Sequence, residues 1–486
     1  MASSLAPPVV TGSRTLGWRR PQLSLGVCGV AGAIVVGAAA GLGPLAGGAA
    51  LLGCLVAAAV LLRPASALIV LGGVVPAASG LQRGLPVPGL RLSEIALGGV
   101  AALVLLRLDG STSPPWRAFD WAALAYVVGT VVLGAADVFS RGEGLDATSL
   151  GTLLGPFQFL LLYRATLSVL VNEDRRGGLL RLMLLPGAAV AILTLLQRFG
   201  ALGVPGLLTR LTGFDARVAE AADVDSFGGL ATTLRATGPF PHWQVLAGYL
   251  FVVGLLALAL LLEPRQRAMR PGALIVVLVL SVAGIVASGT FTTTLGLAAG
   301  GLVLGLWARR FGHVVLGLGV AVVTTGVLFG GAISVRVAQQ FSGIYASGLL
   351  PQSVAYRVSL WQNQILPLLD GRWLTGYGPS LPPGLSFPYT ESVYLTLLMR
   401  GGVILLGTYA LLMAALAVMA HRDLHHADPL QRVVARVLLI LVVLLIPFHL
   451  LEPYFVVTGL PHLLWILAAI ASAGALAQRV PPSRPA

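Results

Sequence analysis

Long apolar runs, separated by short polar or Gly/Pro-marked breaks, account for most of the chain. They fall at about 23–42, 45–62, 66–81, 92–106, 118–136, 149–171, 178–198, 242–263, 272–288, 290–308, 312–333, 392–418, 431–449 and 453–476. Most approach the ~20 residues that a helix needs to cross the hydrocarbon core. The pattern therefore predicts an all-α, polytopic integral membrane protein with about 12–14 transmembrane helices. The runs at 66–81 and 92–106 are short and contain Pro76 and Glu94, so both read as partial or re-entrant spans. They are consecutive, and dropping both leaves the sidedness of everything downstream unchanged.

The chain reads as one transmembrane domain, 1–486, with two long connections at 199–241 and 334–391. Connections beyond about 12–15 residues are usually functional or disordered. In the first, LLTRLTGF and DARVAEAAD read as short helices, and the chain returns to the membrane through Arg235. The second opens on an amphipathic run, SVRVAQQFSGIYASG, and continues as SVAYRVSLWQNQILPLL, where Val354, Val358, Trp361 and Ile365 recur at helical spacing. Arg357 lies off that stripe, so a helix lying on the membrane face would turn it toward a shared cavity.

With 57% hydrophobic and 10% charged residues and a mean hydropathy of +0.90, the chain cannot build the polar surface of a soluble globular protein. The net charge of +13 comes entirely from Arg, scattered singly or in pairs with no aromatic-interleaved patch, which excludes a nucleic-acid partner. The charge reads instead as a topology signal. With the N-terminus inside, the inside connections hold Arg63, Arg107 with Arg117, Arg175 with Arg176, Arg265 with Arg267 and Arg270, Arg309 with Arg310, then Arg422, Arg432, Arg436, Arg479 and Arg484. Both termini are therefore expected in the cytoplasm, and both long connections outside. Arg14, Arg19 and Arg20 precede a first run long enough to span, read as an uncleaved helix rather than a cleaved leader. Cys28 and Cys54 lie in apolar runs, and no His, Cys and carboxylate cluster has metal-ligand spacing. Neither a metal nor a cofactor is expected.

Three segments carry a resemblance. RATGPFPHWQVLAGYL at 235–250 leads from an outer loop into a helix, and SGTFTTTLGLAAGGLVLGL at 288–306 opens a later span on Ser and Thr. YRVSLWQNQILPLLDGRWLTGYGP is followed by TESVYLTLLMRGGVILLG. In this order, with GLRLSEIALGG upstream, they resemble the O-antigen ligase and O-antigen polymerase group of bacterial surface-polysaccharide enzymes, over about residues 89–415. The resemblance implies a metal-independent, inverting glycosyltransferase of the C-type class in the bacterial cytoplasmic membrane. Its donor would be a polyprenyl-diphosphate-linked glycan, and its acceptor a glycan or lipid-glycan. Ligases of the group carry His where this chain has Glu391, which leaves ligase and polymerase both open.

Such a reaction makes physical demands that specific residues can meet. A departing lipid diphosphate needs its charge neutralised, and the planar fork of Arg pairs bidentately with phosphate oxygens. Arg235, at a membrane entrance, and Arg357, in the second loop, are the first candidates; the plain alternatives are a snorkelling interfacial Arg and a surface Arg of an amphipathic helix. Arg210 and Arg217 are weaker, because Asp215, Glu220, Asp223 and Asp225 stand nearby to pair with them. Arg400 falls two turns into an apolar run, where a cation is expensive, and is a secondary donor-binding candidate. The acceptor hydroxyl needs a base. Glu391, just before the 392–418 span, is the first candidate, against a helix-start acid behind a Thr390 cap. His242 is the second, against a structural interfacial His. Trp361, Tyr377 and Tyr394 are candidates for stacking on sugar rings, against membrane-belt aromatics, and Asp370 and Arg372 are expected to pair locally. A lipid or polysaccharide transporter is the competing class, for which inverted repeats and paired broken helices would speak; neither is visible in the sequence.

Overall fold

The computed structural model describes residues 44–83, 90–106, 113–142, 144–145, 147–172, 174–214, 235–347, 350–379 and 390–477. The apolar run at 23–42, Cys28, the DARVAEAAD segment, Arg217 and Arg107 lie outside them. In chain order the helices are α1 (Pro44–Leu62), α2 (Pro64–Ala78), α3 (Leu92–Leu106), α4 (Ala118–Ser140), α5 (Ala147–Asn172), α6 (Arg176–Arg198), α7 (Val204–Thr212), α8 (Trp243–Leu262), α9 (Pro271–Ala287) and α10 (Phe291–Trp307), followed by α11 (Phe311–Ser347), α12 (Gln352–Leu360), α13 (Val393–Arg422), α14 (Pro429–Leu451) and α15 (Leu460–Ala477). Among the described residues, six of these helices are long and apolar enough to cross a membrane, and shorter apolar ones pack with them. This is an all-α, multi-pass membrane protein. The 66–81 run is not a regular span: α2 is built from a 3₁₀ turn, a π turn at Ile69–Val74 and one α turn.

Helix α8 is the hub. It is apolar on every face, the pattern of a helix surrounded by protein, and nearly all its side chains are buried. It packs against α6, α9, α10, α14 and α15, while α4 packs on α13 and α5 on α15. Helix α11 corrects the expected boundary of the second outer loop. Its 37 residues run on without interruption, about 55 Å at 1.5 Å per residue against ~30 Å of hydrocarbon. The amphipathic run after residue 333 is thus a continuation of the span.

Helix α13 is broken at Gly401 (φ −158°) and Gly402 (φ 62°). The segment after α12 fills the break: Tyr377 N–H donates to the Met399 carbonyl at 2.6 Å, and Val403 N–H to the Trp373 carbonyl at 2.8 Å. A Cβ on Gly402 would collide with the Leu374 backbone, so the break and the inserted loop require one another.

Connections assigned by charge to opposite sides of the membrane collect at opposite ends. At one end Glu263 pairs with Arg432 at 3.2 Å, and Arg176 pairs with Asp428 at 2.8 Å. At the other, Gln82 N–H donates to the Leu211 carbonyl at 2.9 Å, Arg372 pairs with Asp137 at 3.0 Å, and Arg357 pairs with Glu391. Arg372 therefore pairs across the fold, not locally with Asp370, because Asp137 at the end of α4 is carried to it. With Cys28 and Cys54 replaced, Asn363→Cys is expected to react with a membrane-impermeant thiol reagent on intact cells, and Arg265→Cys only after permeabilisation. The reverse pattern would invert the assigned topology.

Candidate functional site

One segment from each long connection meets at the start of α8. The first is 235–242. Arg235 Nε donates to the Ser288 carbonyl at 3.0 Å and Nη2 to that of Gly289 at 3.4 Å. Its guanidinium lies 3.9 Å over the Trp243 ring, a stacked seat that an ammonium would not match. His242, in extended conformation, is the N-cap of α8, and its Nδ1 accepts from Gln244 N–H at 3.3 Å.

The second segment is α12 with the π turn Trp361–Ile365. Trp361 Nε1 donates to the Thr390 carbonyl at 2.9 Å, which ties the two ends of the outer loop together. One turn earlier on α12, Arg357 Nη2 donates to Glu391 Oε2 at 3.0 Å and lies 3.5 Å from Glu452 Oε1. The three side chains are only 12%, 15% and 6% exposed. Gln244 Nε2 reaches Glu391 Oε2 at 3.5 Å, which connects the two halves of the site.

Glu391 has φ +54°, a left-handed conformation costing an L residue about 1–2 kcal/mol. Ser392, not Thr390, occupies the N-cap position of α13; Thr390 Oγ1 donates to the Ser392 carbonyl at 2.8 Å. Glu391 is thus neither a cap nor a first-turn acid, and its strained backbone turns the carboxylate toward Arg357.

Burial works against the Arg357 charge, but Glu452 and Glu391 outweigh it and hold the guanidinium protonated. His242 is pushed down to about 3, by burial first and then by the positive charges of Arg235 and Arg357. Its imidazole is therefore neutral at physiological pH, with Nδ1 occupied as an acceptor. Because the unfolded chain binds this proton more readily, the residue makes stability rise with pH between about 3 and its unperturbed ~6.5, and adds no slope above that. His242→Asn is expected to flatten the melting temperature against pH between about pH 4 and 6, measured in detergent. An unchanged slope would remove the buried neutral imidazole.

The remaining candidates lie elsewhere. Arg210 is exposed on α7, without an ion pair among the described residues. Arg400 lies on a different face of α13 from Glu391, with its charge facing Tyr126 of α4. Tyr377 donates its hydroxyl to the Leu368 carbonyl and packs with Trp361 around Leu360, Ile365, Leu369 and Met399. Tyr394 donates to the Ile446 carbonyl at 2.8 Å, pinning α13 to α14. All three aromatics proposed for sugar stacking thus have their polar ends committed to the fold. Glu452 and Gln244 were not singled out in the sequence. Glu452, directly after an apolar run and before Pro453, was legible as an acid at a membrane boundary; nothing distinguished Gln244. Compared with known proteins, the chain matches no family model and no curated protein. Chemically, the arrangement offers two oriented guanidinium groups for an anion and a carboxylate pair for accepting a proton.

Proposed function

We propose that the chain is an inverting glycosyltransferase of the O-antigen ligase and polymerase type, taking a glycan from a polyprenyl-diphosphate carrier to an acceptor hydroxyl at the outer face of the bacterial cytoplasmic membrane, with both termini in the cytoplasm. The observation that carries this reading is the meeting of Arg235, Arg357 and Glu391, from two separate long connections, at one end of the bundle. In the reaction the acceptor oxygen attacks the anomeric carbon and the bond to the diphosphate oxygen breaks, leaving its electron pair on the diphosphate. Arg235 and Arg357 offset that charge, and Glu391 takes the hydroxyl proton. The Arg357 fork is engaged by Glu391 and Glu452, so an arriving diphosphate must take one of these places. Exchange of Arg357 from Glu391 to phosphate releases the carboxylate as a base when donor is bound.

Membrane lipid and lipid-linked glycan are the expected partners. Leaving-group charge falls to Arg in this scheme, so chelator is expected to leave turnover unchanged in a reconstituted assay with lipid-linked donor; abolition by chelator and rescue by Mg²⁺ would transfer that role to a metal. The break in α13 is the observation that favours a transporter, because broken helices build transporter sites. Here the break is filled by Trp373–Tyr377 instead of opening to a cavity, and it has no counterpart in a second repeat among the described helices. Movement of lipid-linked glycan across vesicles with no new glycosidic bond would favour the transporter.

A further inference from the structure

The segment that carries Arg235 has no secondary structure of its own, yet its backbone is fixed from one side by a single side chain. Gln197, in the last turn of α6, is 3% exposed. Its Oε1 accepts from Thr237 N–H at 2.9 Å and from Gly238 N–H at 2.8 Å, while its Nε2 donates to Thr237 Oγ1 at 3.2 Å. One amide thus satisfies two consecutive buried peptide groups and a buried hydroxyl. Gly238, with φ +56°, completes the turn, and a Cβ there would come within 2.8 Å of Thr194 Oγ1 on the same helix. Ala236 N–H donates to the Ala287 carbonyl at 3.1 Å. The loop is therefore held between α6 on one side and the turn after α9 on the other, with Arg235 on one flank and His242 on the other.

We infer that Gln197 is a positioning residue: it sets the turn at 237–238 so that the Arg235 guanidinium stays on its seat over Trp243, facing an anionic headgroup. The inference rests on the reading that Arg235 holds the donor diphosphate. Removing the amide leaves two buried N–H groups unsatisfied, which the loop can relieve only by moving toward water and taking Arg235 with it. A leucine of similar volume tests this without opening a cavity.

The test uses the full chain in detergent, with farnesyl diphosphate as a probe of the diphosphate site by calorimetry and amide exchange of the peptide spanning 235–242. In Gln197→Leu, exchange should accelerate in that peptide and stay unchanged elsewhere, and the probe should bind about 10-fold more weakly. In an Arg235→Gln background the same substitution should weaken binding no further, because it acts through Arg235. Should Gln197→Leu fail to fold, Gln197→Glu keeps the acceptor oxygens and is expected to show a smaller effect of the same kind. Unchanged exchange overturns the inference, as does a binding loss that persists in full in the Arg235→Gln background. If Arg235→Gln alone leaves binding intact, the donor reading of Arg235 falls, and exchange confined to 235–242 then decides whether the clamp stands.

Discussion

Glu391→Gln is expected to lower turnover by ~10²–10⁴-fold with donor binding largely retained, the range for removing a general base without changing shape. The amide can still accept from Arg357, which donates to Glu391 Oε2 at 3.0 Å, so the geometry of the loop should survive. What is lost is only the ability to take a proton. Glu391→His is the sharper comparison, because His is the residue that the resembling ligases carry at this place. It should restore part of the activity and move the acidic limb of the pH–rate profile toward higher pH, following the higher intrinsic pKa of imidazole. The strained backbone gives a second readout. Glu391→Gly removes the cost of φ +54° and should stabilise the loop locally while abolishing turnover, the opposing signs expected where strain serves a site. Wild-type turnover in Glu391→Gln would reduce the carboxylate to a partner of Arg357, and His242 would then be the next base to test.

Much of this arrangement was legible in the sequence because the bilayer restricts what a chain can do. A run of about 20 apolar residues has few alternatives, so helix order and the two long connections could be read directly, and singly scattered Arg gave the two ends. Arg235, Arg357 and Glu391 stood out because a charge beside such a run needs a reason. Pairing across the fold was not legible. Arg372 was expected to meet Asp370, two positions away, but the structure gives it Asp137, because the packing of α4 on α13 decides which acid is carried to it. Glu452 and Gln244 are ordinary residue types at helix ends, and only the convergence of α8, α12 and α14 makes them part of the site. The aromatics failed for a related reason: composition shows a ring, but not that its hydroxyl or indole nitrogen is already engaged by the Leu368, Ile446 or Thr390 carbonyl. Continuous apolar periodicity also concealed the break in α13, because Gly401 and Gly402 are tolerated in membrane helices and reveal a break only when a loop is inserted there.

Arg357 is expected to give the largest combined effect, because it serves both the fold and the reaction. Its side chain is mostly buried between Glu391 and Glu452, and removing one partner from a buried charged cluster costs about 3–5 kcal/mol. Arg357→Gln should therefore lose both turnover and thermal stability, and part of the stability should return as the pH falls and the stranded carboxylates protonate. Arg357→Lys separates the two roles. An ammonium keeps the positive charge between the acids, so most of the stability should be retained, but it cannot span two oxygens as a planar fork does. Turnover in Arg357→Lys is expected to fall by ~10²-fold or more, the scale of losing one oriented transition-state contact, with the melting temperature near that of the parent. Full turnover in Arg357→Lys would confine Arg357 to neutralising Glu391 and Glu452, and would leave Arg235 alone to meet the leaving diphosphate.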